Sequence, residues 1–352
     1  MRPALLVLCY AIAAAWILPR PLSRLSEAGV SPRLGLTAWL AAMGSVLACA
    51  AAALALLARA AIDGWPAFAR TVCESVTAGV CPPTVYRSAA YELGLAVTAF
   101  LGGVVMIALA WRYGRSLRRA RSRTRAHAEA ARIAGHRTGS GGSVSPVDSV
   151  EGAARGTGDR ACGFEGENGP FVLDATQPAV YCVPGRPATI VVTTGALAVL
   201  GTEQLAAVLA HEHAHLAGRH HLLLAVTRSL AAIAPFVPLF ARGTGEVARL
   251  AEMRADDVAA RPGRRRTLLT ALLAMSAGRR AGQALVGPAL AMPATALAMP
   301  VSWLPATGGI VADRIRRLAE PPTPARWACY GLALIAIVVA SALVPALAVT
   351  GI

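Results

Sequence analysis

Four stretches of this chain are apolar for long enough to cross a bilayer: residues 4–19, 35–61, 89–111 and 327–349. The first is short and resembles a signal peptide, but no small-residue cleavage site precedes Pro19-Arg20, so it reads as an uncleaved span. The pattern changes after the third span. A basic segment leads into a Gly- and Ser-rich stretch over about 138–170, which reads as a linker or surface loop and a place where self-cleavage can occur. Two short alternating runs follow, Ala179 to Val183 and Ala188 to Thr194. Pro184-Gly185-Arg186-Pro187 joins them as a hairpin turn. From Leu205 to Leu224 the apolar positions take helical spacing, and Thr202-Glu203-Gln204 in front supplies a helix start.

Two further apolar stretches, 222–241 and 281–306, are not simple spans. Arg228, Pro235 and Pro238 interrupt the first, and Gly and Pro residues break the second. A single crossing at 222–241 would also put the groups on either side of it on opposite faces of the membrane. That stretch must therefore cross twice, re-enter or pack as a helix; 281–306 reads as an irregular cover.

Composition supports a membrane protein. Hydrophobic residues make up 55% of the 352, charged residues 15%, and the mean hydropathy is +0.53. The net charge of +15 comes entirely from arginine. Nine arginines fall between Arg112 and Arg137, directly after the third span. One aromatic residue, Tyr113, falls among them, too little for base stacking, so a nucleic-acid partner is not expected. Their place instead puts that segment on the cytoplasmic side, beside anionic lipid. The N- and C-termini then lie outside, as does the 62–88 loop, where Cys73 and Cys81 can form a disulfide. Cys9, Cys49 and Cys329 read as packing residues within spans, and Cys162 and Cys182 as reduced cytoplasmic thiols.

The chemistry sits at His211-Glu212-His213-Ala214-His215. On a helix, positions i and i+4 share a face, so His211 and His215 can grip one metal ion while Glu212 serves as general base. Glu252 and Asp256, again four apart, offer a third ligand and a carboxylate to fix the tautomer of a liganding histidine. Asp257 competes with Asp256 for that role, and Glu246 is a weaker third ligand. Two His and one Glu leave a position open for water, the mark of a catalytic zinc site. His213, His220 and His221 read as packed or solvated. The hairpin strand beside the motif helix offers an edge on which an extended peptide can pair.

Several of these runs resemble the BlaR/MecR-type integral-membrane zinc metallopeptidases, HExxH gluzincins, and the related HtpX-type peptidases. They are Pro187 to Leu200, Glu203, the HExxH, Ala234-Pro235-xx-Pro238, Glu252-xxx-Asp256 and Arg314-Ile-xx-Leu318. The likeness covers about residues 90–350. It implies Zn2+ held by His211, His215 and Glu252, with Glu212 as base. Arg314 becomes either an oxyanion donor or a structural ion-pair partner. It also implies a protein substrate, with a BlaI/MecI-type repressor as one candidate. The penicillin-binding sensor domain of full sensors is absent after the last span, so antibiotic sensing is not expected.

The expected architecture is a mainly α membrane protein: a multi-span helical bundle carrying a cytoplasmic α+β zincin-like metallopeptidase domain. Residues 1–111 form the N-terminal membrane region, 112–178 the basic segment and linker, 179–320 the peptidase domain, and 327–349 the final span. The expected function is an endopeptidase at the cytoplasmic face in signalling or regulated proteolysis. The alternatives are an HtpX-like quality-control protease and a non-catalytic sensor or scaffold; the intact Glu212 counts against the last.

Overall fold

The computed structural model describes residues 2–27, 31–78, 83–134, 136–137, 170–185, 188–260, 263–285, 308–320 and 323–350. The linker expected at 138–170 and the cover expected at 281–306 lie almost wholly outside these residues, as do Cys81 and Cys162.

Helix α1 (Arg2–Ile17) is followed after a bend of 41° by the short α2 (Pro19–Glu27). Two long helices come next, α3 (Pro32–Ala78) and α4 (Pro83–Ala134). The parts Pro32–Trp65 and Ala90–Arg119 are each long and apolar enough to cross a membrane. The helix expected as the final span is α11 (Pro324–Thr350), whose described apolar core, Ala328–Val344, is shorter. Leucine and alanine spacing explains these helices; what they leave exposed is apolar. Leu101, Val105 and Ile107 on α4 and Leu332, Val339 and Leu343 on α11 are all open. An open apolar surface of this extent calls for lipid rather than water.

The basic segment after Trp111 continues α4, which runs on as helix to Ala134. The sheet also begins before the expected domain start at 179. It contains β1 (His136–Arg137), β2 (Phe171–Leu173), β3 (Val180–Val183) and β4 (Thr189–Thr193) in the order β1-β2-β4-β3. β3 and β4 form the expected antiparallel hairpin, with Tyr181 opposite Val191 and Cys182 opposite Ile190. β2 lies parallel to β4. β3 is therefore an edge strand.

Five helices follow the sheet: α5 (Thr194–Val199), α6 (Thr202–Ala217), α7 (His220–Ile233), α8 (Pro238–Ala259) and α9 (Arg265–Leu285). Then come α10 (Gly308–Ala319) and α11. One face of the sheet packs through Cys182, Ile190 and Val192 onto Leu205 and Leu209 of α6 and Ala271 and Met275 of α9. The 222–241 stretch resolves into α7 and the start of α8, joined by a turn, and the two helices pack together, Thr244 donating to the Thr227 carbonyl at 3.2 Å.

α8 leans on the membrane helices. Leu239, Phe240, Val247 and Leu250 share a buried cluster with Leu36, Trp39, Met43 and Val46 of α3, and with Leu22 and Leu334. Gly243 sits against Met43 and the Trp39 ring with no space for a Cβ. Gly243→Leu would drive a side chain into that contact and should cost on the order of 1–3 kcal/mol. A lower thermal midpoint in detergent would register it; an unchanged midpoint would show that the α3–α8 contact is loose.

Candidate metal centre

α6 begins at Gly201, whose N–H donates to the Gln204 carboxamide oxygen at 3.0 Å. It ends at Gly218, whose N–H returns to the Ala214 carbonyl at 2.9 Å. Arg219 then takes a left-handed conformation, φ 48°, and α7 leaves in a new direction. Ala207 and Ala210 fit α6 closely beside Ala259, Leu268 and Leu318. The motif face therefore turns toward α8 and α10, and His211, Glu212 and His215 are all buried.

Three candidate ligand residues converge there. Nε2 of His211 lies 3.1 Å from Nε2 of His215. Oε2 of Glu252 lies 3.5 Å from the first, and Oε1 lies 3.4 Å from the second. A tetrahedral zinc with bonds of about 2.0–2.1 Å holds its donors roughly 3.3–3.4 Å apart, so the spacing fits. Charge fits as well. Glu212, Glu252 and Asp256 against Arg314 leave two uncompensated negative charges in a buried site, which a divalent cation balances.

The partners of the three are equally specific. Nδ1 of His211 is 2.9 Å from Oδ1 of Asp256, which directs Nε2 inward. Arg314 grips Asp256 with Nε at 2.8 Å and Nη2 at 2.7 Å, and its Nη1 reaches Glu252 Oε2 at 3.0 Å. Arg314 thus pairs with two carboxylates, and its Nη2 also lies 3.4 Å from Nε2 of His211. Asp257, the competitor for Asp256, turns away and pairs with Arg317. Glu246 pairs with Arg249 at 2.8 Å and lies outside the cluster.

Sequence reading underrated one residue and missed another group. His220, first residue of α7, brings Nδ1 to 2.9 Å from Nδ1 of His215, so it does for His215 what Asp256 does for His211. Gly218 permits this, since a Cβ there would strike the His220 ring. The signal was a glycine three residues after His215 with a histidine two further on. The missed group is the Cys182 backbone N–H on β3, which donates to Oε2 of Glu212 at 3.0 Å and tethers that carboxylate to the edge strand.

The electrostatics follow from burial and these pairs. Burial and Arg314 oppose a charge on His211, yet the hydrogen bonds to Asp256 and Glu252 outweigh them and raise its pKa to about 9. Burial, with His211, His220 and Arg314 nearby, lowers His215 to about 3 despite Glu252. Burial and the neighbouring Glu252 raise Glu212 to about 7, against His211 and the Cys182 N–H. Glu252 overcomes the cost of burial through His215, His211 and Arg314 and stays far below the ordinary carboxylate range. Without metal, protons on His211 and partly on Glu212 supply the missing positive charge. Zinc uptake at neutral pH should therefore expel about one to two protons, and affinity should rise with pH until His211 is neutral, near 9. Calorimetry in buffers of different ionisation enthalpy counts them; a count of zero would contradict this charge balance. Asp256→Asn should weaken zinc binding by roughly 10–100-fold with the three ligands intact, read by competition with a chromogenic chelator.

Comparison with known proteins adds an independent line. No solved structure matches the chain. Residues 162–237 match peptidase family M48. The matched stretch contains His211, Glu212 and His215 and stops short of Glu252, Asp256 and Arg314, which join the site through tertiary contacts alone. Over that part of its length, the part with the histidine pair, the chain is similar to a family of metallopeptidases.

Proposed function

We propose that this protein is a zinc-dependent endopeptidase of the membrane, hydrolysing peptide bonds of a protein substrate at the cytoplasmic face in signalling or regulated proteolysis. The convergence of His211, His215 and Glu252, with Glu212 beside them and outside the ligand set, carries this reading. Zinc at these ligands would polarise the scissile carbonyl and make a water acidic enough to lose its proton near neutral pH.

This chain's residues supply the rest. Glu212 is positioned to take a proton and pass it to the leaving amine. A carboxyl raised to about 7 is matched to both tasks. Asp256 and His220 hold the two histidine rings with Nε2 inward. Arg314 keeps Glu252 and Asp256 charged and in place. β3, at the edge of the sheet and tied to Glu212, offers backbone groups to an extended substrate. Glu252 is the one cluster member with an appreciably exposed side chain, 25%, so substrate approaches from its side.

The cytoplasmic assignment rests on Arg112, Arg115, Arg118, Arg119 and Arg121, all exposed on α4 at and just beyond the C-terminal end of its apolar part. The test is cleavage of an unstructured protein by the purified full-length chain in detergent. Activity should vanish with a chelator and return with zinc. Zinc-loaded protein that cleaves nothing, across varied substrates, would leave a metal-binding scaffold instead.

A further inference from the structure

We propose that the turn between α7 and α8 is a wedge that dips into the cytoplasmic leaflet: Pro235 and Phe236 enter the acyl region beneath a collar of arginines in the phosphate layer.

The argument is one of depth. α3 and α4 lie side by side, with Gly102 against Leu54 and Gly64 against Glu92. α7 joins this register where Ser229 meets the Ser116 hydroxyl at 3.1 Å. α8 joins at the same level, since Thr244 donates to the Thr227 carbonyl at 3.2 Å and Gly243 abuts Met43 and Trp39. Ser116, Ser229 and Gly243 thus mark one plane. Moving from that plane into the membrane, α4 reaches Trp111 after five residues, about 8 Å at 1.5 Å per residue. α8 reaches its first residue, Pro238, over the same distance. The turn therefore ends level with Trp111.

What surrounds the turn is interfacial. Phe236 is 74% exposed and Trp111 57%, and Arg115 stacks over the Trp111 ring at 5.3 Å. Trp111 beneath Arg115 is the kind of residue that anchors proteins at the headgroups, and Phe236, wholly apolar, suits the acyl region just below. Arg112, Arg115 and Arg242 are exposed and Arg228 half-buried, all near that plane. None pairs with a carboxylate among the described residues, and lipid phosphates complement them. α7, at 14 residues, spans roughly 21 Å and is too short to cross a hydrocarbon core of about 30 Å. An exposed Pro-Phe tip continuous with the apolar faces of α3 and α4 calls for lipid.

This places the metal centre. Glu252 lies ten residues beyond Arg242 on α8, about 15 Å above the phosphates. On the peptidase reading, the substrate is then a segment leaving the bilayer close to the protein.

Depth-dependent quenching tests the wedge with no reference to catalysis. Full-length Phe236→Cys, with Cys9, Cys73, Cys81, Cys162 and Cys329 changed to Ser, is labelled with bimane and placed in phosphatidylglycerol-containing vesicles. The position is exposed, so the label disturbs no core contact. Nitroxide near the headgroup should quench position 236 more than nitroxide near the chain ends. The same label at Leu101→Cys should show the reverse, and at Glu203→Cys no quenching. If 236 matches 203, the wedge is wrong and the tip faces water or another protein. If it matches 101, the shallow depth is wrong. Absence of quenching at 101 would instead refute the span itself.

Discussion

Glu212→Gln is expected to keep the zinc and lose the activity. The amide has nearly the volume of the carboxyl and its oxygen can still accept the Cys182 N–H, so β3 stays attached to α6. The ligand set does not include residue 212, so metal content should match wild type. What disappears is a group able to take up a proton. Removing a positioned general base costs roughly 10²–10⁴-fold in rate. The measurement is kcat/KM on one peptide, beside zinc per chain on the same preparation. A variant retaining a tenth or more of wild-type rate would assign the base elsewhere. The same substitution tests self-cleavage: a shortened band in wild type should vanish in the variant.

Glu252→Gln is expected to lose both. The carboxylate is the single anionic member of the ligand group and brings one oxygen toward each histidine. An amide keeps the shape but removes one negative charge, so a divalent ion is no longer balanced in a buried site. The affinity loss should exceed the 10–100-fold expected of an outer partner such as Asp256. Activity should fall to background at ordinary zinc concentrations. Arg314 still holds Asp256 through two bonds, so the fold should survive, which a thermal melt can verify. Full zinc content in this variant would mean that the third ligand is another residue.

The two variants separate the roles: one keeps metal without turnover, the other lacks both. A metal-binding scaffold predicts that Glu212→Gln, which keeps the metal, leaves the protein's effect in cells unchanged.

Much of this was legible in local spacing. Helical period four put His211 and His215 on one face of α6 and Glu252 and Asp256 on one face of α8. Those statements need only the 3.6-residue turn. Apolar length marked α3 and α4, because a hydrocarbon core sets a minimum number of residues. The asymmetric arginines set an expected side, because charge is costly to move across lipid.

Less legible was everything decided between segments distant along the chain. Both Asp256 and Asp257 can face a histidine by sequence; α8 docks with Asp256 inward because Gly243, Val247 and Leu250 fit α3 on one side. Arg314, 58 residues later, reaches the carboxylates of Glu252 and Asp256 only because α10 comes to rest against α8. The 222–241 stretch was ambiguous because apolar content is the same for a span and a helical hairpin packed on its neighbours; the contacts of α7 with α4 and α8 show the hairpin.

By itself, then, the sequence determined which side chains share a helix face and which stretches avoid water, since both follow from neighbours within a turn or two. The tertiary structure alone decided the third ligand's approach, the partners of each histidine and the tether from Cys182 to Glu212. Those depend on where separate helices and a strand come to rest, and that is set by the shape and volume of the packed core.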